Sequence, residues 1–180
     1  YDHPSIQSLI KSKEWESLSE FQKIRDIYNY VRDEILFGYN IDDSISASKV
    51  LADGYGQCNT KGTLLMALLR AVGIPCRVHG FTIDKKLQKG AMTGIVYYSA
   101  PKNVLHSWVE VLYQNHWYEL EAVILDSDYL KKLRKLHTEC AGAFCGYGVA
   151  VSNFQNPVID WNGNNTYIQS EGINQDFGVY

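Results

Sequence analysis

A cysteine opening an apolar helix, a histidine opening a later strand and an acid on the strand after that are the residues here best suited to covalent chemistry. Cys58 follows Gly54-Tyr55-Gly56-Gln57 and precedes Leu64, Leu65, Leu68, Leu69 and Val72, apolar at helical spacing. A thiol attacks as thiolate, and a free cysteine at neutral pH is mostly protonated. A helix N-terminus brings unpaired N–H groups and the positive end of its dipole to the sulfur. An imidazolium across the site adds an ion pair, and such pairing can bring a cysteine pKa to ~3–4. The same N–H groups can form part of an oxyanion hole. His106, at the head of the alternating stretch His106-Ser107-Trp108-Val109-Glu110-Val111, is the best-placed base. A third group must orient its imidazole. Glu121 is the first choice, with Glu119 of the same strand parity and Asp126 further along as alternatives.

Each of these residues also has a plainer reading. Free cysteine packs well in apolar cores, and a histidine beside a strand is usually structural. Trp108 and Trp117 read as hairpin packing. His79 falls on a core strand and is a weaker base, and Cys76 reads as packing. His137, Cys140 and Cys145 lack the fourth ligand and regular spacing of a structural zinc site. The four residues between Cys140 and Cys145 are not the two-residue spacer of thioredoxin-like redox pairs. Asp42-Asp43 supplies too few oxygen ligands for calcium.

The elements that must position Cys58 and His106 are legible in outline. Ser17-Leu18-Ser19-Glu20 reads as a capping box ahead of a helix marked by Phe21, Ile24, Tyr28, Val31 and Ile35, with Gly38 as its stop. A short helix is expected over 46–52, and the nucleophile helix from Cys58 to Val72 ends at Gly73-Ile74-Pro75. The period then changes to two. Strands are expected over 76–83 and 95–98 with a polar loop over 85–94 between them, then a hairpin of 107–112 and 117–121 turning at Gln114-Asn115. A helix follows over 126–136. From Cys140 the chain is rich in Gly, Asn and aromatics, with strand-like pieces over 147–152 and 166–169. Helices first and antiparallel strands after make an α+β fold, with the nucleophile at a helix N-terminus packed on an antiparallel sheet.

Three motifs in this order resemble the transglutaminase-like superfamily. Gly56-Gln57-Cys58-Asn59-Thr60-Lys61, leading through Leu64 to Val72 into Gly73-Ile74-Pro75-Cys76-Arg77, resembles that family's nucleophile helix, a G-Q-C turn with a G-I-P-x-R exit. His106-Ser107-Trp108-Val109-Glu110-Val111 resembles its H-x-W-x-E-V strand, and Trp117-Tyr118-Glu119-Leu120-Glu121 its W-x-x-x-D segment. The likeness spans about residues 51–121 of one domain over 1–180, with 140–180 specific to a bacterial-type subgroup. It implies a papain-like fold and a Cys58, His106, Glu121 triad, with glutamate where aspartate is usual. A longer carboxylate can fill that role if its backbone sits back by one methylene, and Asp126 stands as the alternative acid.

The chemistry so implied is acyl transfer through a thioester, as peptidase, deamidase or transglutaminase, with a protein or peptide as substrate and no cofactor or metal. The smallness of the domain favours water over an amine as acceptor. Gln57 or Tyr55 is expected as second oxyanion donor, and Trp108 and Trp161 are the aromatic candidates for contact with substrate. The competing class is a peptide-binding module that keeps the fold without catalysis. Bulk properties narrow the partners. The 180 residues carry a net charge of -3, and the run Lys131-Lys132-Leu133-Arg134-Lys135 is too short and interrupted for a nucleic-acid stripe. No apolar run approaches the ~20 residues that cross a bilayer, and no signal peptide is visible. Four scattered cysteines suit a reducing, cytoplasmic setting.

Overall fold

The computed structural model describes residues 1–92, 94–169 and 171–180. It begins with α1 (Pro4–Ser12), with His3 as N-cap and proline in the first turn, and buries Ile6 and Ile10. A 3₁₀ turn over Trp15–Ser17 leads to α2 (Glu20–Asp33). The capping box sits two residues later than the sequence suggested: Ser19 caps Gln22, whose side chain accepts from the Ser19 N–H at 3.2 Å. Ser17 is used up in the preceding turn, where its hydroxyl donates to the Glu14 carbonyl at 2.8 Å.

Next come β1 (Leu36–Phe37), α3 (Ala47–Asp53) and β2 (Tyr55–Gly56), the two short strands pairing in parallel. Ser46 caps α3, and Gly54 ends it in the left-handed region at φ 71°. Gly56 has a steric reason: a Cβ there would lie 2.6 Å from the Thr60 hydroxyl. α4 (Cys58–Ala71) then runs through the core, with Leu64, Leu65, Leu68 and Leu69 fully buried. β3 (Cys76–Asp84) follows.

The expected strand over 95–98 is instead a helix, α5 (Gly94–Ser99), and part of the expected loop is a 3₁₀ turn over Lys85–Gln88. The sheet positions beside β3 and β4 are taken by other parts of the chain. β3 pairs with β4 (Asn103–Tyr113) on one side and with a C-terminal strand on the other, and β4's far side takes β5 (His116–Glu119). Lys85 closes α5 by donating to the carbonyls of Tyr97 and Ala100. The β4–β5 hairpin turns where expected, with Gln114 and Asn115 at φ 50° and 61°.

After a 3₁₀ turn over Glu121–Ile124, Asp126 caps α6 (Ser127–Leu136). The remainder forms the pair β6 (Phe144–Gly146) and β7 (Val149–Val151), and then β8 (Ile173–Val179), which the sequence did not mark as a strand. Residues 166–169 make only single bridges, to Leu120 and Ala150. The main sheet is thus antiparallel in the order β5-β4-β3-β8.

Both faces of this sheet are covered. Val109 and Val111 point to α1, α2 and α4, in the cluster that also holds Ile24, Ile27 and Tyr28. Phe81, Ile83 and Trp108 point the other way, onto Leu87 and Ala150. On that second face His79 lies between Glu110 (2.8 Å) and Asp176 (2.7 Å), which together outweigh burial and raise its pKa. Its two nitrogens are thereby committed. Among the described residues no helix is long and apolar enough to cross a membrane.

Lys61 ties α4 to the end of α2. It is fully buried and donates to the carbonyls of Arg32 (3.0 Å) and Ile35 (2.7 Å). Burial pushes its ammonium down to about 7 against the pull of Asp126 and Asp33. Lys61→Met keeps the volume but leaves those carbonyls without their donor. A loss of roughly 2–3 kcal/mol is expected, read as a fall in melting temperature of about 5–10 °C. A change of under about 2 °C would show that the bonds contribute nothing net.

Candidate active site

Cys58 is the first residue of α4, so its backbone N–H has no partner within the helix. Gln57 precedes it in extended conformation, and its N–H donates to the Thr60 hydroxyl at 3.0 Å. The thiol is half-buried and donates weakly to Asn59 Oδ1 at 3.6 Å. Asn59 is held in turn by the Ser107 hydroxyl at 2.8 Å, which joins the start of α4 to β4 beside His106. The sequence reading did not single out Asn59, and its place directly after the cysteine is the only hint of its role.

His106 is fully buried, with the Phe81 ring edge-on at 4.8 Å. Its Nε2 meets Glu121 Oε1 at 3.3 Å. Its Nδ1 is buried and makes no close hydrogen bond, so it is the nitrogen left for Cys58. Burial alone would lower the pKa of this imidazole. The charge of Cys58 and its weak hydrogen bonding, then Glu121, outweigh burial and raise it to about 9. An imidazolium is therefore favoured at neutral pH.

Glu121 is fully buried at the head of the 3₁₀ turn that follows β5. Its Oε2 accepts the backbone N–H groups of Ile168 and of Gln169, the latter at 2.9 Å. The C-terminal segment thereby fixes the carboxylate that faces the histidine. Strand parity in the hairpin could not have shown this, because residues 166–169 reach the site from the far end of the chain.

The remaining sequence candidates are placed elsewhere or otherwise engaged. Asp126 accepts the N–H groups of Tyr129 (2.7 Å) and Phe37 (2.9 Å), so both its oxygens hold backbone. Glu119 accepts the Tyr167 hydroxyl. Trp108 packs on Phe81 and His79 at 4.3 and 4.9 Å, while Trp117 lies under the Arg77 guanidinium at 4.0 Å. Trp161 is buried against Phe21 and Tyr113. Tyr55, on β2, packs against Gly38. Gln57 does reach the cleft, but its amide donates to Asp43 and accepts from the Asn40 N–H at 2.8 Å. Among the described residues no three His, Cys, Asp or Glu side chains converge as a metal site.

Two hollows flank the Cys58–His106 pair. One, of about 160 Å³, is lined by Cys58, Gln57, Tyr39, Met92 and Ile124 among others. The second, of about 350 Å³, is walled by His106, Gly62, Met66, Val78 and Gly80. Asp43, Asn59 and Leu105 line both. Together they form a largely apolar cleft with the thiol and imidazole between its halves.

No curated protein sequence matches the chain. Among solved structures it is similar to a candidate cysteine protease from Cytophaga hutchinsonii, at 21% identity and a TM-score of 0.49 over 67% of this chain and 38% of that one. It is also similar to red sea bream transglutaminase, at 15% identity and a TM-score of 0.39 over 67% of this chain and 24% of that one. The chain thus spans well under half the length of either protein. The family model of the transglutaminase-like superfamily matches residues 9–122, a stretch that takes in α2, α4, β3, the β4–β5 hairpin, Cys58, His106 and Glu121. With more than half of its length matched in this way, the chain belongs to the transglutaminase-like superfamily.

Proposed function

We propose that this chain is a cysteine-nucleophile enzyme that opens an amide bond through a thioester on Cys58. The observation that carries the reading is the buried contact of His106 with Glu121, which leaves Nδ1 for a thiol at the start of α4. The Cys58 thiolate attacks the carbonyl carbon, and the oxyanion lies against the unpaired Cys58 N–H. His106 gives its Nδ1 proton to the departing nitrogen as the C–N bond breaks, leaving an acyl thioester and a neutral imidazole. Water or an amine then surrenders a proton to His106 as it attacks the thioester, and the thiolate leaves. With water the outcome is deamidation or proteolysis; with an amine it is transamidation. A peptide segment, offering either a backbone amide or a glutamine side chain, suits the apolar walls of the cleft.

The test is the pH dependence of alkylation at all four cysteines, followed by peptide mapping. Cys58 is expected to react well below pH 7 and ahead of the others, since burial raises the thiols of Cys76 and Cys145. Equal, slow labelling of all four would instead favour a module that keeps the fold to bind peptides.

A further inference from the structure

The charge of the cleft is set by one carboxylate that the proposed acyl-transfer steps leave unused. Asp43 stands on the loop between β1 and α3 and is exposed. It accepts from the side-chain amides of Gln57 and, at 2.7 Å, Asn59, the two residues that flank Cys58 in sequence. The carboxylate is therefore tied to the start of α4 and lines both halves of the cleft, sharing the first with Cys58. Its recorded partners are neutral, and among the described residues it takes part in no ion pair. Among the described residues no lysine or arginine lines either hollow.

In the ionised site the Cys58 and His106 charges cancel, leaving the carboxylates of Glu121 and Asp43. Glu121 is buried and occupied by His106 and two backbone N–H groups. Asp43 is the one at the surface of the cleft, where a concave, partly apolar wall concentrates its field.

We propose that Asp43 is a specificity-determining residue that selects substrates with a lysine or arginine side chain beside the reacting amide. The inference rests on the acyl-transfer reading for its substrate, but the charge preference can be measured without one. A substrate cation approaching the thiol meets an anchored carboxylate that no lysine or arginine of the lining neutralises, and an acidic neighbour meets repulsion at the same point. The apolar walls provided by Met66, Val78 and Leu105 suit the methylene stem of such a side chain.

The experiment compares the rates at which Cys58 is modified by two methanethiosulfonates of similar size, one bearing a trimethylammonium group and one a sulfonate. The site of modification is read by peptide mapping. The protein is expected to favour the cation, and Asp43→Asn to lower the cation-to-anion rate ratio roughly tenfold, as loss of a unit charge several ångströms away implies. Asp43→Glu should restore most of the preference, and Asp43→Ala serves as the neutral variant if the asparagine form does not fold. A ratio that stays within about twofold across the neutral variants would overturn the assignment. If Cys58 is inert to both reagents below pH 7, the acyl-transfer reading fails. The ratio is then read above about pH 8, where an ordinary thiol is partly ionised, so the two ideas fail separately.

Discussion

Replacing His106 by alanine is expected to slow alkylation of Cys58 at pH 6 by roughly 10²-fold, because the thiol then ionises as an ordinary cysteine does. Amide turnover should fall by roughly 10²–10⁴-fold, the usual cost of losing a general acid–base group. The wild-type pH profile carries the more telling signature. Burial lowers the pKa of this imidazole, yet the charge and hydrogen bonding of Cys58, then Glu121, raise it to about 9. Protonation of the departing nitrogen requires the imidazolium, so kcat/KM is expected to decline on the alkaline side with an apparent pKa near 9. The same raised value means that the folded state holds this proton more tightly than the unfolded chain. Its contribution to stability is complete below about pH 6.5 and is lost as pH rises through about 9. An alkylation profile identical in His106→Ala and the parent protein would show that no thiolate–imidazolium pair forms.

The second large effect is expected at Glu121, where two substitutions separate positioning from folding. One oxygen meets His106 Nε2 and the other accepts from Ile168 and Gln169. Glu121→Ala strips all of these partners inside the core, and a loss of about 3–5 kcal/mol is expected. Glu121→Gln retains an oxygen for the two backbone N–H groups, so its loss of stability should be clearly smaller. Its amide N–H₂ can no longer accept from the imidazole. The imidazolium loses its stabilising carboxylate, kcat should drop by roughly 10²–10⁴-fold, and the alkaline limb should move to lower pH. A merely structural role would leave that limb in place while the melting temperature fell. If Glu121→Gln turned over within about threefold of the parent, Glu121 would not be the orienting group.

How far the sequence could be read follows from the range of the forces involved. The helix that begins at Cys58 was legible because its apolar residues repeat at helical spacing and its ends carry a Gly-rich turn and Gly73-Ile74-Pro75. The hairpin was legible because two-residue alternation is interrupted by Gln114-Asn115, a pair able to take positive φ. The α2 cap was misplaced because Ser17 and Ser19 are both good caps, and only the preceding 3₁₀ turn decides between them. Residues 95–98 are rich in β-branched and aromatic side chains, but strand propensity yields to tertiary context, and the positions beside β3 and β4 are held by β8 and β5. β8 was missed because Gln175 interrupts the alternation of Ile173, Phe177 and Val179, none of which is buried, and its pairing with β3 is a long-range matter.

The division is the same at the site. Cys58 at a helix start and His106 on a strand are consequences of local pattern, so their types and settings could be inferred from neighbouring residues alone. The contacts that make them a site join elements far apart in the chain. Ile168 and Gln169 anchor Glu121 across more than forty residues, Ser107 holds Asn59 across 48, and Asp43 reaches back over the turn before Cys58. Glu121 rather than Asp126 faces the imidazole because Phe37 and Tyr129 have already claimed the aspartate. Periodicity specifies which face of an element is buried. Which carboxylate meets which nitrogen depends on the packing of whole elements against one another, and no local pattern encodes that.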